Sequence, residues 1–496
     1  MAPEGEAVSS DDFFVAPPGH TASEILVTGR MAIGDIVPIT IGTPGKLAIL
    51  VFDGVVGQRI TLGLSGITLG TPCCQPVGAT AIYKPDGTTL LSSSAFMQDA
   101  WGSSVLQLPV TGTYAIVIDA GDPHTGNVTV TLAEEFVAPI SVNGPSVPVN
   151  LNLPGQSARL IFSGTAGQRV NVGLSDITLG TPCCLPVGAT AIYKPDGTPL
   201  LGSTGFMMEG WGSAPLQLPV TGTYEIAIDA AYTHMGNITV TLSEELAVPI
   251  SLNGPPVPLN FNRTGQDARL TFSGTEGQRV TLGLGEITIP GGCCVPVGGV
   301  GIYKPDGTAL LSPTSVYQGG WGSAVLQLPT TGEYTILIDP GLGRMSATLS
   351  EEWVVPISID GPALSLSFAR GGQNARLPFE GIQGQRVTFG LNGITLCCAV
   401  VAGVAIYKPD GTALLSPLGI KPNIGLGTAL LELPVTGTYW VSIDPVGAST
   451  GNMTAALSTE LSPTIAINGP AVPLYLDRPG HNARVSFTGN AGQLVS

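Results

Sequence analysis

The chain has 496 residues, a formal charge of −16 at pH 7 and a pI near 4.5. That balance argues against the basic face that nucleic-acid binding requires. Only 11% of residues are charged, against roughly 25% in ordinary globular proteins. Ser, Thr, Asn, Gly and apolar groups must therefore cover much of the surface, as a quiet neutral β surface or as faces buried against neighbouring domains or subunits.

Residues 1–23 are rich in Pro, Gly and Ser around a small apolar knot, Phe13-Phe14-Val15, and read as an extended leader or a docking strand. Residues 1–20 lack the basic start and apolar core of a signal peptide. This fits a cytosolic chain or a mature or trimmed form, and the paired cysteines favour secretion. No transmembrane run is present.

A repeat governs the rest. Gly-Gln-Arg begins at Gly57, Gly167, Gly277 and Gly384, and Gly492 opens Gly-Gln-Leu, at spacings of 110, 110, 107 and 108. Such a period fits whole domains rather than solenoid coils. Four more marks recur: Cys-Cys, Tyr-Lys-Pro-Asp-Gly from Tyr83, Tyr193, Tyr303 and Tyr407, Leu-Pro-x-Thr-Gly-x-Tyr from Leu108, Leu218, Leu328 and Leu433, and an Ile-Asp step at Asp119, Asp229, Asp339 and Asp444. Between 60–91 and 170–201, 26 of 32 positions are identical. The predicted units are 24–135, 136–245, 246–352 and 353–460, with a partial fifth at 461–496.

Within unit two the pattern predicts short strands at 140–142, 147–153, 158–163, 169–174, 177–179, 189–193, 199–201, 216–218, 224–228 and 237–242. Apolar residues alternate at period 2, with Gly, Pro, Asn and Asp punctuating every 8–12 residues or so, and no helical period is sustained. The fold expected is all-β: tandem antiparallel β-sandwich domains, jelly-roll or Ig-like, about 110 residues each, in an elongated rod. Lys-Pro-Asp-Gly reads as a type I turn closing a bulged hairpin. The Tyr after Thr-Gly is expected to cap its corner through the hydroxyl. Junctions such as Glu134-Glu135-Phe136 hold no Gly/Ser linker, so neighbouring units should be held stiffly. The partial fifth unit fits a fragment of a longer chain, or a half-domain that another copy completes head to tail.

Taken together, these motifs resemble the tandem β-sandwich repeats of large secreted bacterial proteins. Such repeats stand beside RHS/YD-repeat regions and look related to pre-peptidase C-terminal domains. The resemblance covers residues 24–496. It implies an extracellular setting and a spacer or adhesive role, and it implies no activity. The YD repeats themselves are absent from this sequence.

The most chemically loaded residues are the adjacent pairs Cys73-Cys74, Cys183-Cys184, Cys293-Cys294 and Cys397-Cys398. A disulfide within one unit must be vicinal, the reading favoured here. Reduced structural thiols, bonds between subunits and metal are the alternatives. Two adjacent thiols with no nearby His fall short of the four ligands zinc usually takes. Mass analysis after alkylation without reductant decides it: eight labelled cysteines would sink the disulfide.

His124 and His234 are equivalent but are not repeated in units three and four. Gly447-Ala-Ser449-Thr-Gly451 matches Gly-x-Ser-x-Gly, yet sits between strands rather than on the strand-to-helix turn a nucleophile elbow needs. The junction acids, with Asp119 and its equivalents, raise calcium as a candidate cofactor, against the plainer reading of a solvated acidic edge. Asn127, Asn237, Asn262 and Asn452 fit the glycosylation pattern and read as strand-edge residues. Trp101, Trp211 and Trp321 would stack on sugars if exposed in a row, and otherwise pack in a core or interface. Four of the six lysines hold one place in Tyr-Lys-Pro-Asp-Gly, as a turn-flanking role requires.

The function expected is a non-catalytic extracellular structural protein, a stalk or filament subunit. It would self-associate or attach to a larger surface protein. The alternative is a carbohydrate- or surface-binding accessory region of a secreted enzyme or toxin. No catalytic residue or resident cofactor is assigned.

Overall fold

The computed structural model describes residues 16–70, 75–98, 100–180, 186–290, 295–396, 402–421 and 425–496. A three-residue 3-10 turn, Ala22–Glu24, precedes the first strand. Repeat 1 then runs β1 (Ile25–Arg30), β2 (Ile36–Ile41), β3 (Leu47–Gly54), β4 (Arg59–Ser65), β5 (Gly78–Tyr83), β6 (Thr89–Phe96), β7 (Trp101–Gly102), β8 (Leu106–Gln107), β9 (Gly112–Asp119) and β10 (Gly126–Glu134). Two sheets form, in the orders β1-β3-β9-β5-β6 and β2-β10-β4-β7, with β8 also on β4. The same set recurs three more times, through the strand Gly451–Thr459.

Alternation drives each strand. On β4, Ile60, Leu62 and Leu64 point into the core beside Phe52, Tyr114 and Ile116. Each repeat stacks the ring of a Phe on that of a Tyr across the β3–β9 pair or its counterpart. The centroids lie 5.3 Å apart in Phe52–Tyr114, Phe162–Tyr224 and Phe272–Tyr334, and 5.5 Å apart in Phe379–Tyr439. The Tyr hydroxyls donate back to the carbonyls of Val110, Val220, Thr330 and Val435 at 2.6–2.7 Å, as a corner-capping Tyr should.

The Lys-Pro-Asp-Gly turns close by local chemistry. Asp86 Oδ1 accepts from the Thr88 amide at 2.9 Å and from its hydroxyl at 2.6 Å. These bonds hold the Asp86 carboxyl below the usual carboxylate range. Gly87 takes the left-handed site at φ 81°.

The expected tandem antiparallel sandwiches, jelly-roll or Ig-like, are corrected here. Among the described residues the chain is all-β with no α-helix, but its repeats are solenoid-like stacked coils, not free-standing antiparallel domains. The leading strand of each repeat runs parallel to its neighbour: β1 with β3, Phe136–Pro139 with Ser157–Gly164, Leu246–Pro249 with Ala268–Gly274, and Trp353–Val354 with Ala375–Gly381. The second face of β4 is also covered, because Thr61 and Gly63 are buried and Gly63 meets the Pro154-Gly155 turn of the following repeat. Alternation reports that one face of a strand is buried. It does not encode strand direction or what lies on the other face.

The chain divides into two compact units. One holds residues 1–245 with 263–266, and the other holds 246–262 with 267–496.

Candidate functional site at the repeat junctions

The Gly-Gln-Arg marker and the acidic pair that ends each repeat are two halves of one structure. Gly57 turns at φ 85°. Gln58 accepts from the Val55 amide at 3.2 Å and donates to Glu134 at 3.1 Å. Arg59 grips Glu135 in a two-point contact, Nε to Oε2 at 2.6 Å and Nη2 to Oε1 at 3.2 Å. Glu135 is 1% exposed at its side chain. A carboxylate so buried must be paired and hydrogen-bonded to stay charged. Its hydrogen bond raises the Arg59 guanidinium further.

The following repeat completes the pairing. Arg159 Nε reaches the same Glu135 Oε2 at 3.0 Å, and its Nη1 reaches Glu225 at 2.7 Å. One carboxylate thus ties two repeats. Arg169–Glu245 at 2.6 Å, Arg279–Glu352 at 2.5 Å and Arg386–Glu460 at 3.4 Å repeat the inner half. Arg484 joins Glu460 at 3.3 Å.

A second set of arginines reaches the backbone across the stack. Arg263 donates to the carbonyls of Asn143 and Gly144. Arg370 donates to the carbonyls of Asn253 and Leu349 at 3.2 and 3.0 Å and to the Ser350 hydroxyl at 2.8 Å, and burial lowers its guanidinium pKa. Arg478 donates to Asp360 and Gly361 at 2.8 and 2.5 Å.

Glycines set how closely the coils approach. Gly63, Gly173, Gly283 and Gly390 each lie on a strand against the turn that holds Gly155, Gly265, Gly372 and Gly480. A Cβ on any of the strand glycines would run into a turn carbonyl: Pro154, Thr264, Gly371 or Pro479. Each turn glycine has φ between 69° and 76°, so both partners resist substitution.

The junction acids divide between two settings: Glu134, Glu244 and Glu351 are exposed, and Glu135, Glu245 and Glu352 are buried. The second of each pair is held by arginine, and Glu134, Glu244 and Glu351 accept from Gln58, Gln168 and Gln278. Among the described residues, no group of three or more His, Cys, Asp or Glu is placed to hold a metal.

The Ile-Asp carboxylates lie at the feet of their strands. Ser157 donates to Asp229 at 3.1 Å, and burial raises the Asp229 carboxyl. Burial also raises Asp339, against an opposing hydrogen bond from Asp267. It pushes Asp444 up to about 6.

Other expected candidates fall to structural roles. Trp101, Trp211 and Trp321 are half-buried and pack on their own cores. His124 and His234 turn Nδ1 to the carbonyls of Val77 and Val187 at 3.1 and 3.4 Å, anchoring loops. Ser449 lies in a turn, and its neighbour Ala448 packs on Gly320 and Gly371. The cysteines, Cys73, Cys74, Cys183, Cys184, Cys293, Cys294, Cys397 and Cys398, lie outside the described residues.

The arginine–glutamate lock was missed in the sequence, though a signal for it was there. Arg59 and Glu135 stand 76 apart, as do Arg169 and Glu245, while Arg279 and Glu352 stand 73 apart. The charges recur together, as partners must.

No protein-family model matches the chain, and no curated protein matches it. Solved structures similar to parts of it include the pre-peptidase C-terminal domain of a Bacillus anthracis collagenase. That likeness has 9% identity and a TM-score of 0.17, and covers 21% of this chain and 93% of the other. A tetra-tandem repeat from the extending region of a large adhesion protein has 11% identity and a TM-score of 0.13, and covers 83% and 99%. Aeromonas hydrophila PliG, a periplasmic inhibitor of g-type lysozyme, has 14% identity and a TM-score of 0.17, and covers 22% and 98%.

Proposed function

We propose that the chain is a non-catalytic structural protein of the cell exterior, a stalk or filament subunit that holds distance and resists extension. The junction carries this reading. A buried carboxylate, its arginines and a backbone-to-backbone glycine contact are spent on fixing one repeat to the next. In a quasi-one-dimensional array, such nearest-neighbour contacts set stiffness and cooperativity. The charge-poor surface and paired cysteines support an extracellular or surface location, with attachment to a larger surface protein. No helix among the described residues is long and apolar enough to cross a membrane. The packing of the half-buried tryptophans on their own cores favours the structural reading over the carbohydrate-binding one.

Pulling the intact chain in a force spectrometer tests the reading. Evenly spaced steps are expected, each releasing about 40 nm for a repeat near 110 residues at roughly 3.6 Å per residue. Extension without resolved force peaks would overturn the spacer role.

A further inference from the structure

The turn between the first two strands of repeats 2, 3 and 4 is built on one dipeptide: Asn143-Gly144, Asn253-Gly254 and Asp360-Gly361. The amides of Asn143, Asn253 and Asp360 donate to the carbonyls of Leu242, Leu349 and Leu457 at 2.8–2.9 Å. Their φ values are 58°, 56° and 57°, a left-handed position that Asn and Asp accept more readily than other side chains. A Cβ on Gly144, Gly254 or Gly361 would fall 2.7–2.9 Å from the Cβ of Ser141, Ser251 or Ser358, so the second residue must be Gly. In repeats 2 and 3 the turn thus imposes Asn-Gly, the pair in which no side chain hinders the following backbone nitrogen from attacking the Asn amide.

The closed junction holds that attack off. Gly144 N–H donates to the Ser141 carbonyl at 2.9 Å. Asn143 Oδ1 accepts from the Glu244 amide at 2.9 Å, and its Nδ2 donates to Glu244 Oε2 at 3.0 Å. Arg263, from the next repeat, donates to the carbonyls of Asn143 and Gly144. Asn253 is held in the same way: its Oδ1 accepts from the Glu351 amide at 3.0 Å, and its carbonyl accepts from Arg370 at 3.2 Å. Both asparagines are exposed, so local opening of these bonds leaves them free to react in water.

We propose that Asn143-Gly144 and Asn253-Gly254 are sites of spontaneous deamidation, suppressed while the repeat junction is closed and released when it opens. The Gly144 nitrogen attacks Asn143 Cγ, the Cγ–Nδ2 bond breaks, and ammonia leaves with the proton of the Gly144 amide. Water then opens the succinimide. Breaking the new Cγ–N bond gives aspartate, and breaking the bond from that nitrogen to the Asn143 carbonyl carbon gives isoaspartate. Either product opposes reclosure. Aspartate sets a second carboxylate against Glu244, where Nδ2 donates before the reaction. Isoaspartate adds a methylene to the main chain and displaces the carbonyls that Arg263 holds. Repeat 4 carries the compensated pair. Asp360 stands where Asn143 does, and Thr459 takes the place of Glu244, its amide and hydroxyl donating to Asp360 at 2.9 and 2.7 Å.

The test follows conversion at Asn143 in the full chain by mass-spectrometric peptide mapping at mildly alkaline pH. Three samples are compared: the native chain, the chain unfolded in guanidinium and native Arg263→Ala. Conversion is expected to be at least tenfold slower in the native chain than in the unfolded one, and several-fold faster in Arg263→Ala than in the native parent. Asn143→Asp should lower the denaturant midpoint, and adding Glu244→Thr should restore most of the loss. A native rate equal to the unfolded rate, an Arg263→Ala rate equal to the parent's, or no conversion in the unfolded chain overturns the proposal. So does an Asn143→Asp midpoint that is unchanged, or that falls equally with and without Glu244→Thr. If Arg263→Ala does not fold, the ratio of native to unfolded rates and the Asn143→Asp pair still decide. The chemistry does not depend on the spacer role, so its failure leaves the force experiment standing, and the converse holds.

Discussion

Burial at the foot of the strand Gly437–Pro445 lifts the Asp444 carboxyl to about 6, well above the ordinary carboxylate range. The folded chain therefore holds a proton between about pH 4 and 6 that the unfolded chain releases. Stability falls as pH rises through that window, and the cost is fully present at pH 7. Asp444→Asn should accordingly stabilise the chain at pH 7 and leave it unchanged at pH 4. Asp444 lies among packed strands yet is exposed to solvent, which screens the charge, so the gain is at most about 1 kcal/mol. Denaturant midpoints at the two pH values check this, and an equal shift at both would refute it. The corner tyrosines allow a sharper comparison. Tyr224→Phe loses the hydroxyl donor to Val220 and should cost about 1 kcal/mol. Tyr224→Ala also empties the stack on Phe162 and should cost about 3–5 kcal/mol. The Tyr corner was legible in the sequence because its partner lies four residues away. The Asp444 shift was not, because it comes from neighbours on other strands.

Two ion pairs of similar length separate exposed from buried electrostatics at the scale of the element. Arg30 and Asp53 meet at 2.6 Å on the surface, and Arg59 and Glu135 meet at 2.6 Å with the carboxylate buried. Asp53→Asn should cost less than about 1 kcal/mol. Glu135→Ala strands Arg59 and Arg159 against a buried gap and should cost about 3–5 kcal/mol. Glu135→Gln is the informative intermediate, since it keeps the shape and one oxygen to accept from Arg59 and Arg159 Nε, while its NH2 cannot accept from Arg59 Nη2 and the charge is lost. Chemical denaturation of the three variants orders them, and an Asp53→Asn loss equal to that of Glu135→Ala would refute the argument. What the sequence made legible at this scale follows the range of the interaction. Lys-Pro-Asp-Gly closes through Asp86 and Thr88, two residues apart, so its turn could be read directly. The parallel pairing of β1 with β3 could not, because period-2 alternation is the same in either direction. The burial of Thr61 on the far face of β4 is likewise set by the next repeat.

For the molecule as a whole, the glycine contacts decide whether repeats unfold alone or together. Gly63 meets the Pro154-Gly155 turn so closely that any side chain displaces it. Gly202 lies on a strand with nothing within 4 Å of a would-be Cβ. Both are strand glycines, and local propensity treats them alike. Only the stacking tells them apart. Gly63→Val should therefore push the first two repeats apart, weaken the Glu135–Arg159 bond that crosses the junction and let repeat 1 melt ahead of its neighbour. In a nearest-neighbour array, the loss falls on the interface term while each core keeps its own stability. The expected trace is an added low-temperature transition in calorimetry, with the main transition retained. Gly202→Val should leave the trace as it was. If Gly63→Val lowers the whole transition without splitting it, the contact serves the core of repeat 1 rather than the junction. If it changes nothing, the coils are not held by their glycines, and the arginine–glutamate lock must fix the stack alone.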